Sequence, residues 1–127
     1  MDNDSTKIYP HPKWGQVYVE ESDYCLYYLH AGQRVIGHAS YRLNESDHKA
    51  TLIDIVLTAN EYRRKGIGSW MLDIICDSAR RCGAESIEGT IYPENPRDPQ
   101  DWEKMKMFYK SNGFEINDIK IFKSLLS

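Results

Sequence analysis

The sequence predicts a mixed α/β fold of the α+β kind, in which a mostly antiparallel sheet has one central parallel pair of strands and carries two main helices. Three observations support this prediction. Apolar and polar residues alternate with a period of two over much of residues 17–57, as in half-buried strands. From Gly66 the period lengthens to that of an amphipathic helix. A strand-like run at 87–92 follows, and a strand reached through a helix favours parallel pairing.

The chain begins with a polar stretch, residues 1–13, whose Pro10 and Pro12 predict a tail or lead-in rather than a helix. Beyond it lie runs rich in β-branched and aromatic residues, separated by polar or glycine-containing turns. They predict strands at 17–19, 24–29, 35–43 and 52–57. Together these runs predict an antiparallel meander.

An amphipathic helix is predicted after the meander. Its apolar residues are spaced at i, i+3, i+4, i+7, i+8 and i+12. They are Ile67, Trp70, Met71, Ile74, Ile75 and Ala79. Arg80 and Arg81 suit the negative end of the helix dipole, and Gly83 can adopt the left-handed conformation that ends a helix.

A second helix is predicted near the carboxyl end of the chain. Asp98 can cap it, Pro99 suits its first turn, and Asn112-Gly113 would end it. Its inward residues would be Trp102, Met105 and Tyr109. Two closing strands are expected at 114–116 and 119–126.

Composition narrows the class of protein. With 127 residues the chain can bury one core but hardly two, so residues 1–127 are expected to form one domain. A net charge of −3 gives no overall attraction to nucleic acid. No run reaches the roughly 18 apolar residues of a membrane span, and no secretion signal opens the chain, so a cytoplasmic protein is expected. Three cysteines without CxxC spacing and four scattered histidines predict no metal site.

A basic turn joins the meander to the first helix, with the sequence Arg63-Arg64-Lys65-Gly66-Ile67-Gly68. The first turn of a helix leaves about four N–H groups without intrahelical partners, and together with the helix dipole they attract an anion. A pyrophosphate would fit there; a solvated basic turn is the plain alternative. The dinucleotide fingerprint does not fit, because Met71 takes the place of its third glycine, and a P-loop would need the lysine after the glycine.

The order strand, Arg63-x-x-Gly66-x-Gly68, helix resembles the defining motif of the GNAT superfamily of acyl-CoA N-acyltransferases. A second resemblance lies where Tyr109, three further residues and Gly113-Phe114 end the second helix. The resemblance runs from about residue 35 to the end of the chain. It implies an N-acyltransferase that moves an acetyl group from acetyl-CoA to an amine of a small molecule, peptide or protein. A non-catalytic acyl-CoA-binding or interaction module on the same fold is the alternative.

The resemblance also implies the site residues. The backbone of Val56, Leu57 and Thr58 would pair with pantetheine as if the cofactor were an added strand. The pyrophosphate would be held by Arg63, Arg64, Lys65, Gly66, Ile67 and Gly68. Tyr109 matches the tyrosine beside the thioester sulfur, where a phenol can donate its proton to the leaving thiolate. The alternative for Tyr109 is a purely structural place in the core.

Two regions depart from the family pattern. Residues 1–34 show no pair of amphipathic helices such as the family uses to wall its acceptor site, so the N-terminal helices are expected to be missing. An open acceptor site is implied, or one completed by a partner, for example in a homodimer. Trp102 stands where the family usually has an asparagine, and Asn95 is the candidate replacement.

Transfer to an amine requires a neutral nucleophile, so a base should face the thioester. Asp54 is the first candidate, because alternation places it on the face opposite Ile53 and Ile55. Glu88, on the neighbouring parallel strand, is the second, and a water chain is the third. For both carboxylates the alternative is a solvated side chain on the sheet surface.

Overall fold

The computed structural model describes residues 7–22, 25–58, 62 and 66–126. In chain order the elements are β1 (Lys7–Pro10), β2 (Val17–Ser22), β3 (Leu26–Ala31), β4 (Arg34–Asn44), β5 (Lys49–Leu57), α1 (Ile67–Arg81), β6 (Ser86–Thr90), α2 (Pro99–Ser111), β7 (Glu115–Asn117) and β8 (Lys120–Ser124). The strands follow the order β1-β2-β3-β4-β5-β6-β8-β7. β5 and β6 are parallel, whereas β1–β2, β2–β3, β3–β4, β6–β8 and β7–β8 are antiparallel. The predicted fold class is confirmed.

The described residues fall into two compact units. One contains the chain as far as Arg42 together with Ile53–Ile75, and the other contains Leu43–Leu52 and the chain from Cys76 onward. β4, β5 and α1 each contribute residues to both units.

β1 corrects the predicted tail. It pairs antiparallel with β2 and places Ile8 opposite Glu20 and Pro10 opposite Tyr18. Because β1 is the first strand in the sheet order, one side of its backbone pairs with no strand of the described residues, and proline is tolerated there. Ahead of β5 the described residues form strands and turns and no α-helix, in agreement with the sequence-based expectation for this end of the chain.

The core of the first unit follows the two predicted periods. Residues with no solvent exposure alternate along β2 and β3 and recur along α1; they are Val17, Val19, Tyr27, Leu29, Ile67, Met71 and Ile75. Full burial of one such side chain stabilises the fold by about 1.5–3 kcal/mol. β5 is an exception, because Ile53 is 46% exposed. Alternation identifies residues that share a face but does not say which face is covered.

The second unit contains α2 and the carboxyl-terminal strands. The Asp98 carboxylate accepts a hydrogen bond from the Gln100 amide at 2.9 Å, which confirms the predicted cap. Of the three α2 residues predicted to face inward, Tyr109 is buried and Trp102 and Met105 are half-buried. Neither described helix, with 15 and 13 residues, has the length and apolar character of a membrane span.

Candidate functional site

The strand predicted to bind pantetheine is the end of β5. The pairing of β5 with β6 covers residues 49–51, whereas β5 itself continues to Leu57. Just beyond, the amide and the hydroxyl of Thr58 both donate to the carbonyl oxygen of Ile36 on β4, at 2.8 and 3.0 Å. Val56 and Leu57 are half-buried and Thr58 is exposed. Thr58 therefore fixes the end of β5 to β4 immediately before the chain crosses to α1.

Gly66 caps the start of α1. Its φ of +76° lies in the left-handed region, and an added Cβ would meet no heavy atom within 4 Å. Glycine is therefore favoured here by the backbone conformation and not by crowding. The Gly66 carbonyl accepts the first i→i−4 bond of the helix, from the Trp70 amide at 3.0 Å. The amides of residues 67–69 precede that bond, at the positive end of the helix.

Of the remaining residues of the predicted phosphate turn, Ile67 and Gly68 belong to the described residues and the three basic residues do not. Ile67 has no exposed side-chain surface, so it could meet a ligand only through its backbone. Gly68 is half-buried in the first turn of α1, which contains no acidic residue. Arg63, Arg64 and Lys65 lie outside the described residues. The described part of this turn thus offers backbone groups in a setting that suits an anion.

Asp54 has two polar neighbours on β4. Ser40 Oγ donates to Asp54 Oδ1 at 3.1 Å, and His38 Nε2 lies 3.3 Å from Asp54 Oδ2. The side chains of His38 and Asp54 are each 42% exposed, so solvent reaches both. Alternation along β5 identifies Asp54 but gives no indication of His38 or Ser40 on β4. Their spacing at i and i+2 along a predicted strand was the available signal.

Glu88, the second candidate base, lies in the other unit. It is half-buried on β6 and pairs with Thr51 on β5 and Phe122 on β8. With these two residues it lines a cavity of about 520 Å³ that Glu115 and Lys120 also line. Its surroundings are therefore polar on several sides.

Tyr109 is 4% exposed. Its ring packs edge to face on Phe108 and Phe114, with centroid distances of 5.1 and 5.4 Å. Its carbonyl oxygen accepts from the amides of Asn112 and Phe114, at 3.1 and 3.0 Å, and so ends α2. The predicted inward orientation is confirmed, while the role toward a thiolate stays a prediction.

The segment before α2 contains the candidate replacement for the family asparagine. Asn95 Oδ1 accepts a hydrogen bond from the backbone amide of Arg97 at 3.2 Å, and the backbone amide of Asn95 donates to the Asp101 carboxylate at 3.0 Å. Trp102 Nε1 donates to the Pro96 carbonyl at 2.8 Å. Asn95 is exposed and is used to shape this turn, which gives no support to a catalytic role.

Two histidines of the described residues, His30 and His38, each lie beside one carboxylate. His30 Nε2 lies 2.8 Å from Glu20 Oε1, as His38 lies beside Asp54. No group of three or more His, Cys, Asp or Glu side chains in the described ranges could hold a metal ion.

Comparison with known proteins identifies relatives of this chain. The fold is similar to that of a GNAT-family acetyltransferase from Desulfovibrio desulfuricans, with 14% identity, a TM-score of 0.66, and coverage of 80% of this chain and 68% of that one. A Bacillus subtilis acetyltransferase in complex with CoA gives 15% identity, a TM-score of 0.63, and coverage of 85% and 78%. The anti-CRISPR protein AcrVA5 gives 29% identity, a TM-score of 0.55, and coverage of 69% and 90%. No curated protein matches.

The family model described as "Acetyltransferase (GNAT) family" matches residues 2–114, which include the β5-to-α1 crossing and end at the Gly113-Phe114 pair. This match spans most of the 127 residues. The chain therefore belongs to the GNAT family of acetyltransferases.

Proposed function

We propose that this protein is an acetyl-CoA-dependent N-acetyltransferase that binds the pyrophosphate of coenzyme A at the start of α1. The observation that carries the proposal is the left-handed Gly66, whose carbonyl accepts the first i→i−4 bond of α1, the element that follows β5 in the chain. Family membership supports the acyl-CoA chemistry. The CoA complex of the Bacillus subtilis acetyltransferase supports the same donor.

In this proposal the donor is held mainly by backbone groups. The backbone of Val56, Leu57 and Thr58 pairs with pantetheine, and the amides from Gly66 to Gly68 bind the pyrophosphate. Arg63, Arg64 and Lys65 add positive charge next to the same phosphates. The burial of Ile67 supports this arrangement, because a side chain anchored in the core holds its amide in place.

On the way from ammonium to amide the nitrogen loses two protons, and the leaving sulfur gains one. A primary amine with a pKa of about 10.4 is protonated at neutral pH and must lose a proton before it attacks, and the carboxylate of Asp54 assists this step. The neutral amine then attacks the thioester carbonyl carbon, the C–S bond breaks, and the hydroxyl of Tyr109 donates to the leaving thiolate. The second proton of the nitrogen is released as the amide forms and restores the phenol of Tyr109. The products are an N-acetylated amine and free coenzyme A.

The wider setting is also a proposal. We expect residues 1–127 to work as one acyltransferase domain in the cytoplasm. The strands that occupy the described residues ahead of β5 support an acceptor site that is open or is completed by a partner, such as a second copy of the chain. The same observation favours the second candidate, a non-catalytic acyl-CoA-binding module.

Release of free thiol from acetyl-CoA in the presence of an amine separates the two candidates. The acceptor panel contains small amines, lysine peptides and, because the anti-CRISPR protein AcrVA5 is among the similar structures, proteins of CRISPR systems. We expect acetyl-CoA to bind in calorimetry and at least one amine to release thiol. Binding without thiol release from any acceptor would favour the non-catalytic module, and absence of binding would contradict both candidates.

A further inference from the structure

Three polar side chains, those of His38, Asp54 and Ser40, lie in a row across two neighbouring strands of the first unit. Ser40 and His38 on β4 flank the carboxylate of Asp54 on β5, one at each oxygen. Ser40 Oγ can serve only as the donor to an ionised carboxylate. It therefore fixes Oδ1 and leaves Oδ2 facing Nε2 of His38 at 3.3 Å.

This arrangement selects one tautomer of a neutral His38. A proton on Nε2 interacts favourably with Asp54 Oδ2, and Nδ1 then carries the lone pair. A carboxylate that orients an imidazole and stabilises its protonated form is the arrangement by which proteins make histidine an effective base. Asp54 itself, with both oxygens engaged, is less available to take a proton directly.

The position of the pair in the fold is the second observation. Thr58 is bound to Ile36 at the end of β5, and His38 lies two residues from Ile36 along β4. Two residues of strand span about 7 Å, so the pair lies close to the end of β5 that would take pantetheine. Gly37 allows β4 to approach β5 there, because a Cβ at this residue would collide with the carbonyl oxygen of Val56.

The other groups that face His38 are few among the described residues. Tyr28 lies opposite His38 on β3, and Glu20 lies opposite Tyr28 on β2. Glu20 is already engaged by His30 at 2.8 Å. Asp54 is therefore the carboxylate closest to His38 in this row, and both side chains remain open to solvent.

We infer that His38, oriented by Asp54, is the group that accepts the proton of the acceptor amine. This inference rests on the proposed function. The ammonium proton moves to His38 Nδ1, and the neutral amine forms the C–N bond as the C–S bond breaks. The nitrogen then loses its second proton, which replaces the proton that Tyr109 gives to the thiolate, and the imidazolium returns its own proton to solvent. Asp54 is then a positioning residue that acts through His38.

The test compares two histidine–carboxylate pairs of the same unit. His38→Gln should lower kcat by about 10²- to 10⁴-fold with little change in acetyl-CoA affinity, and should remove the acidic limb of the kcat/KM profile. In His38→Ala, added imidazole should restore part of kcat. His30→Gln, which removes the partner of Glu20, is the matched control and should leave turnover near the wild-type level. Asp54→Asn should lower kcat less than His38→Gln does.

Several outcomes would overturn the inference. Wild-type turnover and an unchanged pH profile in either folded His38 variant would show that the pair only joins the strands. Equal losses in His30→Gln and His38→Gln would show a general effect on the sheet. Melting curves and calorimetry with acetyl-CoA on each variant identify loss of fold. If the wild type itself releases no thiol with any acceptor, the proposed function fails, and the inference fails with it.

Discussion

The carbonyl oxygen of Gly66 accepts the hydrogen bond of the Trp70 amide at 3.0 Å, while Gly66 itself has a φ of +76°. The helix that should bind phosphate therefore starts from a residue in the left-handed region. This conformation costs a residue with a Cβ about 1–2 kcal/mol. At the start of α1, a glycine, a left-handed backbone conformation and the proposed phosphate site therefore coincide.

Replacement of Gly66 should lower stability through the backbone alone. In Gly66→Ala the free energy of unfolding should fall by about 1–2 kcal/mol, because no atom lies within 4 Å of the added Cβ and the strain is conformational. Urea unfolding measures the change. Gly15→Ala, at a glycine with equally open surroundings and no positive φ, is the control and should not fall. A loss of the same size in both variants would contradict this explanation.

Tyr109→Phe should separate packing from chemistry. The ring contacts with Phe108 and Phe114 remain, so affinity for acetyl-CoA should change little. Loss of the proton donor should lower kcat by about 10²- to 10⁴-fold without raising KM for acetyl-CoA. Tyr41→Phe, at another buried tyrosine, is the matched control for the loss of a hydroxyl. Wild-type turnover in Tyr109→Phe would make Tyr109 a core residue only.

His11 should make stability depend on pH. Burial, and secondly the charge of Lys13, hold the pKa of His11 below its ordinary value of 6.5. Nδ1 accepts from the amides of Lys13 and Trp14 at 3.0 and 3.1 Å, and protonation would break both bonds. The unfolded chain therefore binds the proton more readily, so the His11 contribution is complete above pH 6.5 and is lost as the pH falls through 6.5 toward the lowered value.

Urea unfolding across this range tests the His11 prediction. His11→Asn keeps an acceptor but cannot titrate, so its free energy of unfolding should fall less on acidification than that of the wild type. His48→Asn removes an exposed histidine, and asparagine tolerates its positive φ of 57°. This control should keep the acid sensitivity. Identical pH dependence in His11→Asn and the wild type would show that His11 does not contribute.

Much of the fold could be predicted because the strand and helix periods of the apolar residues can be read within short segments of the sequence. The buried residues of α1 and the Asp98 cap follow from spacing and residue type within one segment. β1 could not be predicted in this way, because Pro10 and Pro12 indicate irregular chain, and only the position at the edge of the sheet makes a strand there acceptable.

The candidate site shows the same limit. Alternation identifies Asp54 as a candidate, but its contacts with His38 and Ser40 depend on the register between β4 and β5. A shift of one residue in that register would turn these side chains to opposite faces. The need for a glycine at position 66 could be predicted from the change of strand to helix, whereas the open space around Gly66 is visible only in the structure.

The central claim is that coenzyme A approaches the backbone at the start of α1, and acetyl-CoA binding to Gly68→Val tests it most directly. Calorimetry compares this variant with the wild type and with Gly15→Val, where an added Cβ would meet no heavy atom within 4 Å. We expect Gly15→Val to bind like the wild type and Gly68→Val to lose at least about tenfold in affinity, or about 1.4 kcal/mol. Wild-type affinity in a Gly68→Val variant with an intact circular dichroism spectrum would contradict the claim.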